Sequence, residues 1–82
     1  MQSKFNIRIL SPSELIFEGE ADAVFLPGTV SPFEMLPGHA PIISSLSAGE
    51  IVLHGATEQR FAIKGGVMKA EYPDVTICVE NL

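Results

Sequence analysis

Glycine and proline punctuation constrains this chain more than any other feature. Seven glycines and six prolines are spread through 82 residues and cut the sequence into short runs. Proline fixes φ and removes a backbone donor, and glycine weakens any helix or strand it sits inside. No stretch of about ten residues free of both carries the apolar period of a helix. The runs alternate instead. Phe5, Ile7 and Ile9 interleave with Asn6 and Arg8, the mark of a half-buried strand.

The same reading predicts strands over 15–17, 22–26, 33–36, 42–46, 50–54, 60–64, 67–70 and 75–79. Ser11-Pro12-Ser13 should end the first strand, and Glu18-Gly19-Glu20 should close the second. Pro27-Gly28 should stop the third, and 33–36 reads as a short edge strand. Gly55-Ala56-Thr57-Glu58-Gln59 should join 50–54 and 60–64 as a hairpin. Gly65-Gly66 predicts a bulge or sharp bend. Short alternating strands with turn signals about every 8–12 residues indicate one all-β domain, an antiparallel sandwich or barrel.

Composition narrows the function classes. The net charge is −5, and the only basic residues are Lys4, Arg8, Arg60, Lys64 and Lys69. Nucleic-acid binding draws its affinity from clustered cations on phosphates, so no nucleic-acid partner is expected. The single cysteine, Cys78, excludes an internal disulfide. No window approaches the roughly 20 apolar residues of a membrane span. No direct membrane insertion is expected, and any contact with a membrane complex would run through other proteins.

Candidate chemistry is sparse. Leu36-Pro37-Gly38-His39-Ala40-Pro41 is a stiff shaped loop that presents one histidine, and His39 is expected to anchor it. Ser44, Ser45 and Ser47 lie nearby in sequence, but no G-x-S-x-G elbow surrounds them, so no catalytic residue is assigned. His39 and His54 lack metal-ligand spacing. Gly65-Gly66 lacks the further glycines and the helix of a phosphate cradle, and no cofactor is expected. Glu14, Glu18, Glu20 and Asp22 form an acidic series. It reads as a solvated edge that discourages aggregation, or else as a surface for a basic partner. Met68-Lys69 partly resembles the modified turn of biotinyl carrier domains, which leaves an enzyme-accessory carrier as the rival reading. An unassigned β-sandwich with some other partner is the third.

Several segments together resemble one family. Phe5-Asn6-Ile7-Arg8-Ile9-Leu10-Ser11-Pro12 is similar to its opening strand. Leu26-Pro27-Gly28, Leu36-Pro37-Gly38-His39-Ala40-Pro41-Ile42-Ile43 and Leu46-Ser47-Ala48-Gly49 follow. Phe61-Ala62-Ile63-Lys64-Gly65-Gly66-Val67 and Val75-Thr76-Ile77-Cys78-Val79 complete the likeness. The family is the epsilon subunit of F-type ATP synthases, matched in its N-terminal domain over residues 1–82.

The resemblance implies a flattened antiparallel β-sandwich of about ten short strands. It implies a non-catalytic subunit of the central stalk, coupling rotation of the c-ring to the catalytic head by bridging the gamma subunit and that ring. Such a subunit would sit peripherally on the cytoplasmic face of a bacterial inner membrane. Ser11 and His39 match positions that face gamma. Ser31, Pro32, Phe33 and Glu34 match the loop that faces the c-ring, and Pro27, Gly28, Pro37, Gly38, Pro41, Gly65 and Gly66 match loop-shaping positions. Relatives usually carry glycine where this chain has Ser31 and Glu34, so Pro32 and Phe33 are expected to make a stiffer, more apolar loop tip. The family's C-terminal helical hairpin has no counterpart in these residues. If Leu82 is the true end, the inhibition and ATP binding tied to that hairpin should be absent.

Overall fold

The computed structural model describes residues 4–38 and 40–80. Nine strands are found there: β1 (Phe5–Leu10), β2 (Leu15–Ala21), β3 (Ala23–Leu26), β4 (Phe33–Met35), β5 (Ile42–Leu46), β6 (Gly49–His54), β7 (Gln59–Ile63), β8 (Gly65–Glu71) and β9 (Asp74–Glu80). They form two sheets, ordered β2-β1-β9-β8-β5 and β4-β3-β6-β7. The sandwich is flattened, with extents of 37 × 25 × 19 Å.

Alternation explains the packing. Phe5, Ile7 and Ile9 on β1 and Val75, Ile77 and Val79 on β9 point inward and are buried. Val24, Leu26, Met35, Ile51, Leu53 and Met68 meet them in one continuous core. Each fully buried large apolar side chain contributes about 1.5–3 kcal/mol.

Among the described residues all strand pairings but one are antiparallel. The first and last strands, β1 and β9, pair in parallel from Asn6↔Asp74 to Leu10↔Cys78. A parallel pair needs a long connection, and here the whole intervening chain supplies it.

Two turn expectations give way. Glu18-Gly19-Glu20 does not close a strand; β2 runs through it, paired as Arg8↔Glu18, Ile7↔Gly19 and Asn6↔Glu20. The missing side chain of Gly19 is covered by the Phe17 ring, 2.8 Å from where a Cβ would stand. Phe17 in turn meets Phe61 across the sandwich at 5.3 Å. Gly65-Gly66 is neither a bulge nor a loop, because both residues open β8. The bend lies one residue earlier, at Lys64, where the chain leaves one sheet for the other. Gly66 serves close approach: a Cβ there would lie 2.3 Å from the Cys78 carbonyl oxygen.

Candidate interaction surfaces

Among the described residues no polar or charged side chain is buried. What they offer is surface chemistry, and three places carry it.

The first is the outer face of the five-stranded sheet. Strand alternation turns Leu10, Leu15, Val67 and Cys78 away from the core. Register aligns them in one row, through Ser45↔Val67, Val67↔Cys78, Leu10↔Cys78 and Leu10↔Leu15. A bulge beside Ile9 and Leu10 sets the last of these pairs. Leu15 is 48% exposed, Val67 49%, and Ile43 one row away 71%. Apolar side chains at these values are a row, not scattered singles, which marks a contact surface. Leu10, Val67 and Cys78 of this row floor a groove of about 400 Å³ that Pro12, Glu14 and Glu80 also line.

Beside it lies a polar depression of about 550 Å³, lined by Asn6, Arg8, Glu18, Glu20, Asp74 and Thr76. Arg8 reaches Glu18 only at 3.9 Å, with both side chains more than half exposed. Lys4 donates to Asp22 at 2.6 Å at the adjoining edge. That hydrogen bond raises the Lys4 pKa, and the charges of Asp22 and Glu20 add to it.

The second place is the end of the sandwich at residues 27–34. The Pro27 carbonyl accepts from Ser47 N at 2.7 Å, and Thr29 N donates to Ser45 O at 3.1 Å. The Thr29 and Ser45 hydroxyls are 2.8 Å apart. These bonds tie the loop to β5 and leave Val30 fully exposed at its tip. Ser31 and Pro32 are exposed beside it. Phe33 does not form the tip. It opens β4 and packs on the core, its ring 2.8 Å from where a Gly28 Cβ would lie. Glycine at 28 makes room for that ring, so Phe33 turns inward. Glu34 also belongs to β4, opposite Phe25. Sequence reasoning missed Val30, although a lone apolar residue between Thr29 and Ser31 was the available signal.

The third place is the Pro-Gly loop. Pro37 and Gly38 form a turn, with Gly38 at φ +88°, a conformation that favours glycine. Pro41 is exposed and leads into β5. His39 lies outside the described residues. Ser11, its expected companion, closes the turn between β1 and β2. Its Oγ accepts from Glu14 N at 3.2 Å and Ser13 N at 3.4 Å. Its backbone N donates to Glu14 O at 2.9 Å. Strand directions put Ser11 and Pro41 at opposite ends of the five-stranded sheet, just after β1 and just before β5. The apolar row and the depression lie across the face between them.

Lys69 sits inside β8, paired with Ile43 and Thr76. The tip of that hairpin is Tyr72-Pro73. A carrier lysine has to be displayed at a tip, so the carrier reading loses its support.

The chain matches the model of the β-sandwich domain of ATP synthase delta and epsilon chains over residues 4–82. It is 34% identical over 82 residues to the ATP synthase epsilon chain of Parvibaculum lavamentivorans, covering 98% of this chain and 62% of that one. It is 36% identical over 76 residues to the epsilon chain of a Synechococcus species, covering 92% and 56%. The chain thus spans about three-fifths of these relatives' length. Its fold is similar to a chain in the Euglena gracilis mitochondrial ATP synthase assembly of OSCP, F1 and c-ring. The TM-score is 0.87 at 16% identity, covering 96% of this chain and 52% of that one. A chain in the Tetrahymena thermophila central stalk and c-ring structure gives a TM-score of 0.78 at 12% identity, covering 98% and 66%.

Proposed function

The chain belongs to the family of ATP synthase delta and epsilon β-sandwich domains, and from that membership we propose that it is a non-catalytic central-stalk domain bridging the gamma subunit and the c-ring. The observation that carries the reading is the solvent-facing apolar row of half-buried Leu10 with exposed Leu15, Val67 and Cys78 on one sheet. A domain of this size has a thin core, and a row of this kind needs a cover. Gamma is assigned to that face, between Ser11 and the Pro-Gly loop that holds His39. The c-ring is assigned to the 29–32 loop, with Val30 as its contact and Glu34 flanking it.

Mechanically the role asks for stiffness more than chemistry. Torque passes through a domain that does not deform, and two sheets locked on one apolar core meet that need. The subunit would act at the cytoplasmic face of a bacterial membrane, held there by its partners.

The test is reconstitution. Vesicles carrying the cognate synthase without its own epsilon chain should regain proton pumping per ATP hydrolysed when this protein is added. No recovery, with the protein folded and in excess, would refute the reading.

A further inference from the structure

The outer face of the five-stranded sheet is graded in charge as well as in polarity. One row is apolar. The next carries Lys69, Thr76, Arg8 and Glu18, and the row beyond it Glu71, Asp74, Asn6 and Glu20. Four carboxylates face two cations there, and Glu14 and Glu80 add two more beside the apolar groove. Among the described residues, no cation lies within ion-pair distance of Glu14, Glu20, Glu71, Asp74 or Glu80. The other sheet handles its charge differently. Glu50 and Glu58 are both bound by Arg60, at 3.2 and 2.6 Å. On the strands of that sheet only Glu34 lacks a cation among the described residues, whereas on the five-stranded sheet such carboxylates cluster.

We propose that this face is read by a basic amphipathic segment of the gamma partner, whose apolar side covers the Leu10–Cys78–Val67 row while its Lys or Arg side chains enter the carboxylate-lined depression between β2, β1 and β9. The proposal rests on the gamma assignment above and adds to it the partner's chemistry and orientation. Two adjoining hollows of opposite character fix which end of the segment lies where. Apolar contact alone would leave the segment free to bind in either direction. Unpaired carboxylates around a docking face also accelerate encounter with a basic partner, and salt weakens that acceleration.

The experiment is stopped-flow association of the full 82-residue protein with isolated cognate gamma, at low and high salt. Parent association should fall steeply as salt rises. The double variant Glu20→Gln, Asp74→Asn should associate about tenfold more slowly at low salt and lose most of the salt dependence. Arg8→Gln removes a cation from the same depression and should associate faster than the parent. All three positions are exposed, and melting curves would confirm that the variants fold. If the parent binds gamma but the double variant keeps its rate and salt slope, the electrostatic reading is wrong while the gamma assignment stands. A slower Arg8→Gln variant would also overturn it. If the parent does not bind gamma at any salt concentration, the assignment itself fails and takes this inference with it.

Discussion

The two outer faces of the sandwich are built from the same alternating pattern and end in different states. On the four-stranded sheet, Phe25, Val52 and Arg60 lie in one row across β3, β6 and β7. Val52 points away from the core yet is only 7% exposed, and Phe25 is half-buried. Arg60 closes the row by binding Glu50 and Glu58. Apart from Glu34 at its β4 end, which has no cation among the described residues, that row is covered or paired by the chain itself. On the five-stranded sheet, Leu15, Val67 and Ile43 stay open to solvent and most carboxylates find no cation. The more open face is the one proposed above for the partner.

The largest effect should come from treating the covered row as if it were open. Val52→Asp forces a charge into a covered position and should cost about 3 kcal/mol of folding stability. Urea denaturation would measure it. A cost near zero would mean that Val52 is not covered in solution, and the contrast between the faces would collapse.

Next in size is the backbone beneath the open face. Gly66→Ala would place its Cβ 2.3 Å from the Cys78 carbonyl oxygen. That oxygen belongs to backbone, so β8 and β9 would have to move apart. A loss of about 2 kcal/mol is expected, within the range for overpacking. A near-neutral alanine would show that the two strands are less closely apposed than described.

How far the sequence exposed all this depends on whether a signal is local. β1 and β9 were legible because each carries its own clean alternation, and the β6–β7 hairpin because its turn residues sit between two such runs. Gly19 was misread because what keeps it in a strand is β1, a neighbour that no window around Gly19 contains. The parallel β1–β9 pair was invisible for the same reason. Alternation with Ile77 and Val79 puts Cys78 on the opposite face, where a small side chain tucked against a neighbour would be expected; the structure keeps the face but leaves Cys78 exposed. The row it belongs to was missed, because Leu10 and Val67 look like ordinary core residues in isolation. The usable signal was phase: each stands next to a core residue, Ile9 or Met68, on the wrong beat of the alternation. Phe33 shows the opposite error, a loop aromatic that Gly28 lets turn inward.

A smaller effect, and one that moves affinity while leaving stability in place, is expected at the open face. Val67→Asp alters an exposed position, so folding stability should stay within about 0.5 kcal/mol of the parent. Gamma affinity should fall about tenfold, because a carboxylate would be buried unpaired at the centre of the contact. Titration calorimetry gives the second number and urea denaturation the first. Cys78 supplies a check without mutation, since its exposed thiol should react with iodoacetamide in the free protein and be protected by gamma.

The smallest effect concerns charge at the margins of the two faces. Hydrogen bonding to Glu58 and Glu50 raises the Arg60 pKa above its ordinary value. Hydrogen bonding to Asp22 raises the Lys4 pKa above 10.5. A group whose pKa is higher in the folded state adds stability that is complete below its unfolded value and disappears as pH rises through the folded one. For Arg60 that loss lies beyond any workable pH, so Arg60→Met should shift the melting temperature by the same small amount throughout the alkaline range. For Lys4 the loss begins above about pH 10.5, so Lys4→Met should lie slightly below the parent at neutral pH and converge with it in strong alkali. Both contributions come from exposed pairs, and added salt should shrink them. Melting curves of the three proteins across alkaline pH, at low and high salt, test the difference. If the Lys4→Met gap persists unchanged in strong alkali, the Lys4–Asp22 pair is not what holds that margin, and the lysine's aliphatic packing would have to account for it.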